Sequence, residues 1–216
     1  MKHITFHLDF ISPYAYLAFE RLPEVLKGIS HSVDYRPVLF AGMLKHHGQL
    51  GPAEIAPKRD WTYRQVLWLA NSLNIPMKMP ACHPFNPLPL LRLAIACNAY
   101  TTGQANRYVC ETIFRQVWCS GQDAGSMGCV EALAAQLTPA HDVQGEGVKS
   151  SLKNNTDEAI NHGVFGVPAL AVDDKVFWGL DALPMLRDYL TGAAWFQSND
   201  WDDVRQVGSG IKRNTS

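Results

Sequence analysis

Asp9-Phe10-Ile11-Ser12-Pro13-Tyr14 joins two segments of different hydrophobic period. Before it, residues 2–8 alternate: Ile4, Phe6 and Leu8 fall on one face and His3, Thr5 and His7 on the other, which is the period of a strand. After it, Tyr14, Leu17, Ala18, Leu22 and Val25 recur at helical spacing, with Pro13 at a favourable first helical position. Ser12 is therefore the expected N-cap. Its hydroxyl would sit among backbone N–H groups that have no partner inside the helix, at the end where negative charge is favoured. Capping alone accounts for most serines in a Ser-Pro pair, so a chemical role for Ser12 rests on the remainder of the chain.

A second strand is expected over residues 32–39, which makes a βαβ unit with a parallel strand pair. Residues 41–162 then carry almost no strand pattern. They predict a short helix at 42–47 and a longer one opening at Pro57-Lys58-Arg59-Asp60-Trp61 and stopping before Pro76. Further helices follow over 90–100 (ended by Thr101-Thr102-Gly103), 104–118 and 130–137. Residues 144–162 read as one or two helical pieces, with a break at Asn154-Asn155 and Thr156 as a cap. The five prolines within residues 76–89 make that stretch an extended surface loop.

The α/β pattern returns after Phe165. Gly166-Val167-Pro168 leads into a strand at 169–172, Asp173-Asp174 is a turn, and 175–178 is the returning strand of a hairpin. Gly179-Leu180-Asp181 opens a last helix closed by Gly192. From Trp195 the chain is polar with isolated aromatics, and 208–216 reads as a tail with no core to join. The expected architecture is α/β: a thioredoxin-like fold (βαβ…ββα) built from residues 1–40 and 163–192. A large all-helical insertion domain over 41–162 interrupts it, and a C-terminal extension over 193–216 follows.

The 216 residues are 47% apolar and 18% charged, ordinary values for a globular protein. A formal net charge of −1 with scattered basic residues gives no reason to expect nucleic acid or an anionic membrane as partner. No apolar run is long enough to span a bilayer, and no secretory pattern opens the chain. Five cysteines without a C-x-x-C pair suit reduced thiols in a cytoplasm. Cys97 and Cys110 fall in helical apolar patterns and are expected in the core, as are Trp68 and Trp118. His3, His7, His46, His47 and His83 lack the spacing of a metal site. Ser12 also lacks the G-x-S-x-G elbow of a triad nucleophile.

A redox enzyme of thioredoxin type needs a thiolate at the start of its first helix. Here those positions are Ile11-Ser12-Pro13-Tyr14, so dithiol–disulfide exchange at that place is excluded. A hydroxyl at a helix N-terminus instead suits an anion supplied from outside, such as the thiolate of a bound thiol. Lowering a thiol pKa by about two units needs roughly 2.7 kcal/mol. A hydrogen bond to a charged group supplies about 1.5–3 kcal/mol, and the helix terminus up to about 2 kcal/mol.

Four stretches in consistent order carry a resemblance: Asp9-Phe10-x-Ser12-Pro13-Tyr14-x-Tyr16-Leu17-Ala18, Lys58-x-x-Trp61, Gly163-Val164-Phe165-Gly166-Val167-Pro168 and Phe177-Trp178-Gly179-Leu180-Asp181. Together they resemble the 2-hydroxychromene-2-carboxylate isomerase family, which is related to kappa-class glutathione transferases, from residue 2 to about residue 192. The resemblance implies a glutathione cofactor, a homodimer and a small aromatic substrate. It implies contact of Ser12 with the glutathione sulfur and a cis peptide before Pro168. It also implies pairing of the Val167 backbone with the glutathione main chain, as an added strand would pair. Asp181 would meet the γ-glutamyl end from the helix start, and Lys58 would lie near the cofactor and substrate carboxylates. Trp61 and Trp178 would line the pocket, and Gln49 stands for an expected asparagine.

The chain departs from the family pattern at Leu180 and Ala182, where well-studied members often have Asn and Arg around the Asp, and at Gln65 and Trp68, which replace Asp and Arg. The implied activity is cis–trans isomerisation of an aromatic 2-oxo acid or hemiketal by reversible thiolate addition, which divides one hard step into easier ones. The same scaffold also fits a glutathione transferase or peroxidase, or a non-catalytic glutathione- or peptide-binding module.

Overall fold

The structure, a computed structural model, describes residues 1–99, 103–208 and 210; the expected helix end at 100–102 and most of the 208–216 tail lie outside the described residues. The alternating segment is β1 (Lys2–Leu8), followed by α1 (Pro13–Val25) and β2 (His31–Pro37). Six helices come next: α2 (Phe40–His46), α3 (Ala56–Ser72), α4 (Leu88–Ala96), α5 (Arg107–Cys119), α6 (Met127–Leu137) and α7 (Glu146–Asn161). The chain then returns to the sheet with β3 (Ala169–Val172) and β4 (Lys175–Trp178), and continues into α8 (Leu183–Leu190) and a short α9 (Asp200–Asp203). The four-stranded sheet has the order β2-β1-β3-β4, with β1 parallel to β2 and antiparallel to β3. This is the thioredoxin-like α/β fold with its helical insertion.

Register explains how the sheet buries two faces. Tyr35, Phe6, Leu170 and Phe177 lie in one row across the four strands and all enter the main core beneath α1, α5 and α8. There Phe19 and Phe114 pack with tilted rings at 5.2 Å, and Phe10 meets Phe114 edge-on at 4.8 Å. The neighbouring row, Arg36, His7, Ala169 and Trp178, points to the other side. That face is not open: Val38, Met43, Ala159, Val164, Val167 and Ala169 form a second apolar cluster with α2 and α7. Consequently His7, expected on a polar face, is only 6% exposed. Alternation in β1 reports the more apolar face correctly and says nothing of what covers the other.

α7 is one helix, without the expected break. Asn155 and Thr156 sit inside it and are buried because they fasten α7 to the chain leaving β2. Asn155 Nδ2 donates to the carbonyls of Pro37 and Gly103 at 3.0 and 2.6 Å, and Thr156 Oγ1 accepts from the Leu39 N–H at 3.0 Å. Arg36 adds an ion pair with Glu158 at 2.9 Å. Replacing Asn155 by leucine would leave two carbonyls without that donor, and urea unfolding should show a loss of about 2–4 kcal/mol.

Two further expectations change. Trp68, expected in the core, is 66% exposed, because α3 buries only Val66 and Ala70. The aromatics beyond Trp195 are not isolated: the Phe196 and Trp201 rings lie 6.1 and 5.6 Å from Phe177, behind β4 and α8. Among the described residues no helix is long and apolar enough to cross a membrane.

Candidate functional site

Ser12 caps α1 as its position predicts. Its φ of −89° and ψ of 115° are extended, and its Oγ accepts from the Ala15 N–H at 3.2 Å. The same hydroxyl donates to the Val167 carbonyl at 3.4 Å, a long bond from which it can turn away. Val167–Pro168 is a cis peptide. Ser12 and Val167 are each 7% exposed, so the loop before β3 meets the start of α1 almost out of solvent. The Val167 N–H has no hydrogen-bond partner among the described residues. An orphaned N–H next to a carbonyl is half of a strand ladder, ready for an extended partner.

Below Ser12 lies Asp9, fully buried at the end of β1. Its Oδ1 accepts from the Ile11 N–H at 3.1 Å and its Oδ2 from the Phe40 N–H at 3.0 Å. Burial pushes its pKa up to about 7, against the two backbone bonds, which pull it down. Asp9 therefore ties the Ser12 turn to the entry of α2.

Above Ser12, the Tyr14 hydroxyl donates to Gln65 Oε1 on α3 at 2.7 Å. Burial raises the Tyr14 pKa, and the nearby charge of Asp181 raises it further. The helix after Asp181, α8, begins later than expected. Ala182 is its N-cap residue, and Asp181 precedes it, exposed and without a capping bond. Gly179, at φ +100°, leaves the space into which the Asp181 carboxylate folds. On the other flank Trp178 is 52% exposed and packs on Phe165 with tilted rings at 4.8 Å. A Cβ on Gly166 would lie 2.8 Å from Trp178 Nε1, so only glycine lets the indole close over the loop before Pro168.

Ser12, Val167 and Pro168 therefore meet at the start of α1, and Asp181 acts on Tyr14 of that helix through its charge. Gln49, Lys58 and Trp61 are all exposed, and among the described residues no hydrogen bond or ion pair joins them to Ser12, Val167 or Asp181. Lys58 is the third residue of α3, because that helix starts at Ala56 rather than Pro57. Sequence reasoning missed three contributors. Gln65 is a departure from the family pattern that here holds Tyr14. Asp9 is a buried acid, and His83 reaches the same turn from the proline-rich loop. Their signals were weak, because nothing local in the chain announces a contact across 51 or 72 residues.

Three of the chain's own thiols are poor nucleophiles. Burial pushes Cys97 up to about 11 and raises Cys110 and Cys129 as well. The site's chemistry is thus that of a hydroxyl donor and a helix N-terminus beside an open backbone edge. Such a place can hold an extended, peptide-like molecule and favour an anion at the hydroxyl.

The DSBA-like thioredoxin domain family matches residues 3–191. A 2-hydroxychromene-2-carboxylate isomerase from Sphingobium xenophagum is 29% identical over 199 residues, covering 88% of this chain and 98% of the relative. Glutathione S-transferase kappa 1 from Rattus norvegicus is 26% identical over 206 residues, covering 87% of this chain and 89% of the relative. Among solved structures, that of a 2-hydroxychromene-2-carboxylate isomerase superposes with a TM-score of 0.74 at 22% identity, over 92% of this chain and 98% of that one. The last likeness is one of fold.

Proposed function

Since this chain belongs to the DSBA-like thioredoxin domain family and carries Ser12 where a redox member needs cysteine, we propose that it is a glutathione-dependent isomerase of the 2-hydroxychromene-2-carboxylate type. The observation that carries the reading is the Ser12 hydroxyl, at the N-terminus of α1 and 3.4 Å from the Val167 carbonyl, next to the unpaired Val167 N–H. Glutathione fits that set. It is an extended peptide with a thiol in its middle and an ammonium group at one end. The Val167 backbone would hold its main chain, Asp181 its γ-glutamyl ammonium and Ser12 its sulfur. Lys58, Gln49 and Trp61 would face its carboxylate or that of the substrate.

When bound, glutathione supplies a thiolate that adds reversibly to a conjugated carbon of an aromatic 2-oxo acid or hemiketal. Ser12 does not need to lose a proton for this. Its hydroxyl turns from Val167 O and donates to the sulfur, while the first-turn N–H groups of α1 lower the local cost of negative charge. Trp178 and Phe165 offer flat apolar surface on the flank. The homodimer and the small aromatic substrate that the family resemblance implies, and the cytoplasmic setting that the cysteine pattern suits, belong to the same proposal.

Calorimetry of the purified protein with glutathione tests the reading. Binding at millimolar concentration or tighter is the expected result, and no heat at that concentration would overturn it. Because similar proteins include kappa-class glutathione transferases, a second arm follows product. Isomerised chromene with glutathione recovered unchanged is expected; accumulation of a glutathione conjugate would replace the isomerase by a transferase on the same site.

A further inference from the structure

Two consecutive peptide planes lead into Ser12, and each is held at both ends. In the plane between Phe10 and Ile11, the Phe10 carbonyl accepts from Trp118 Nε1 at 3.0 Å, and the Ile11 N–H donates to Asp9 Oδ1 at 3.1 Å. In the plane between Ile11 and Ser12, the Ile11 carbonyl meets His83 Nε2 at 2.8 Å, and the Ser12 N–H donates to the Asp9 carbonyl at 3.1 Å. The bonds from Asp9 are local. Those from His83 and Trp118 arrive from 72 and 108 residues away, out of the helical insertion.

A carbonyl only accepts, so His83 Nε2 carries the proton in its bond to Ile11. Nδ1 is then an acceptor in the neutral ring, and the Tyr63 hydroxyl lies between it at 2.7 Å and the His83 carbonyl at 2.9 Å, sharing one proton between the two. Burial lowers the His83 pKa and keeps the ring in this neutral form, and the ring lies against Trp118 at a centroid distance of 5.5 Å. The Ile11 carbonyl thus fixes the tautomer, and Tyr63 on α3 holds the ring and its backbone from the other side.

We propose that His83 is the positioning residue of Ser12: its Nε2–H locks the peptide plane from which the N-cap residue springs. The Ser12 Oγ and the Tyr14 N–H, the first-turn donor left over by Pro13 and by the cap on Ala15, are thereby held in place before a ligand arrives. Donors placed in advance need no reorganisation when charge reaches them, which is where such a lock acts. Its chemical consequence rests on the glutathione reading above; the lock itself does not.

Two substitutions separate the roles of the ring. His83→Gln keeps a donor at the place of Nε2 and gives up Nδ1. His83→Asn keeps a polar atom near Nδ1 and falls short of Ile11. Hydrogen exchange of the backbone across residues 9–16 should be about tenfold faster in His83→Asn and within roughly twofold of wild type in His83→Gln. With glutathione bound, the pH midpoint of the ultraviolet thiolate band should rise by about one unit in His83→Asn and hold in His83→Gln. Equal behaviour of the two variants in the exchange experiment, both faster or both unchanged, would overturn the proposal. If wild type holds no thiolate at all, the glutathione reading falls, and the exchange contrast still decides the lock.

Discussion

Ser12→Ala is expected to lower turnover by about 10- to 100-fold while leaving the fold intact. The magnitude follows from the bond that disappears. A hydrogen bond to a charged group is worth about 1.5–3 kcal/mol, and about 1.4 kcal/mol is a factor of ten in rate. The structural cost is smaller and separable. Losing the cap on the Ala15 N–H takes about 1 kcal/mol from stability. Ala15, Tyr16 and Leu17 remain in the core and keep α1 in place. Far-ultraviolet dichroism and an unfolding curve would show the small loss, and steady-state kinetics the large one. Because the thiolate is bound in the ground state too, part of the effect should appear as weaker glutathione binding at neutral pH. Full turnover in a folded Ser12→Ala protein would remove the hydroxyl from the mechanism and leave Ser12 as a cap.

The second large effect is a pair of opposed pH dependences that conceal one another in the wild-type protein. Burial, aided by Arg36 and His162, brings the His7 pKa down to about 4 from 6.5. Its unfolded form takes up a proton that the folded form refuses. The associated stability is present above about pH 6.5 and is lost as pH falls through 4, roughly 3 kcal/mol in all. Asp9 runs the other way. Its pKa rises from 3.8 to about 7, so its stability is present below about pH 4 and is lost as pH rises through 7, roughly 4 kcal/mol. Between about pH 4 and 6.5 unfolding at these two sites releases one proton and takes up another, and the contributions cancel.

Single substitutions should uncover each half. Relative to wild type, Asp9→Asn should lose stability toward acid by about 1.4 kcal/mol per pH unit across that window. His7→Leu should lose it toward neutral pH at about the same slope. Urea midpoints taken at half-unit steps would show this. Three parallel curves would mean that neither group titrates as its surroundings imply. Asp9→Asn should also lower activity, because the amide has one oxygen for two backbone donors, Ile11 and Phe40. The turn that carries Ser12 would lose one of its ties.

Much of this molecule was legible along the chain because the deciding signals are local. The alternation of Ile4, Phe6 and Leu8 makes a strand with one strongly apolar face. The Ser12-Pro13 pair starts a helix, and the absence of cysteine at residues 11–14 excludes dithiol chemistry there. The repeated strand pattern after Phe165 makes the hairpin. Each depends on side-chain period, backbone freedom or residue identity within a few positions, and these do not wait for tertiary contacts.

Tertiary structure decided whatever depends on what arrives from far along the chain. It covered the second face of the sheet with α7 and so buried His7. It turned Asn155 and Thr156 from an expected helix break into anchors, because the carbonyls left over at Pro37 and Gly103 and the N–H of Leu39 needed partners. It drew the last aromatics onto Phe177 and left Trp68 in solvent. Above all it brought Val167 and His83 to the one serine whose place at a helix start was already evident. A cap can be read from neighbouring residues, but its aim is set by bonds across 155 and 72 residues that only the folded chain makes.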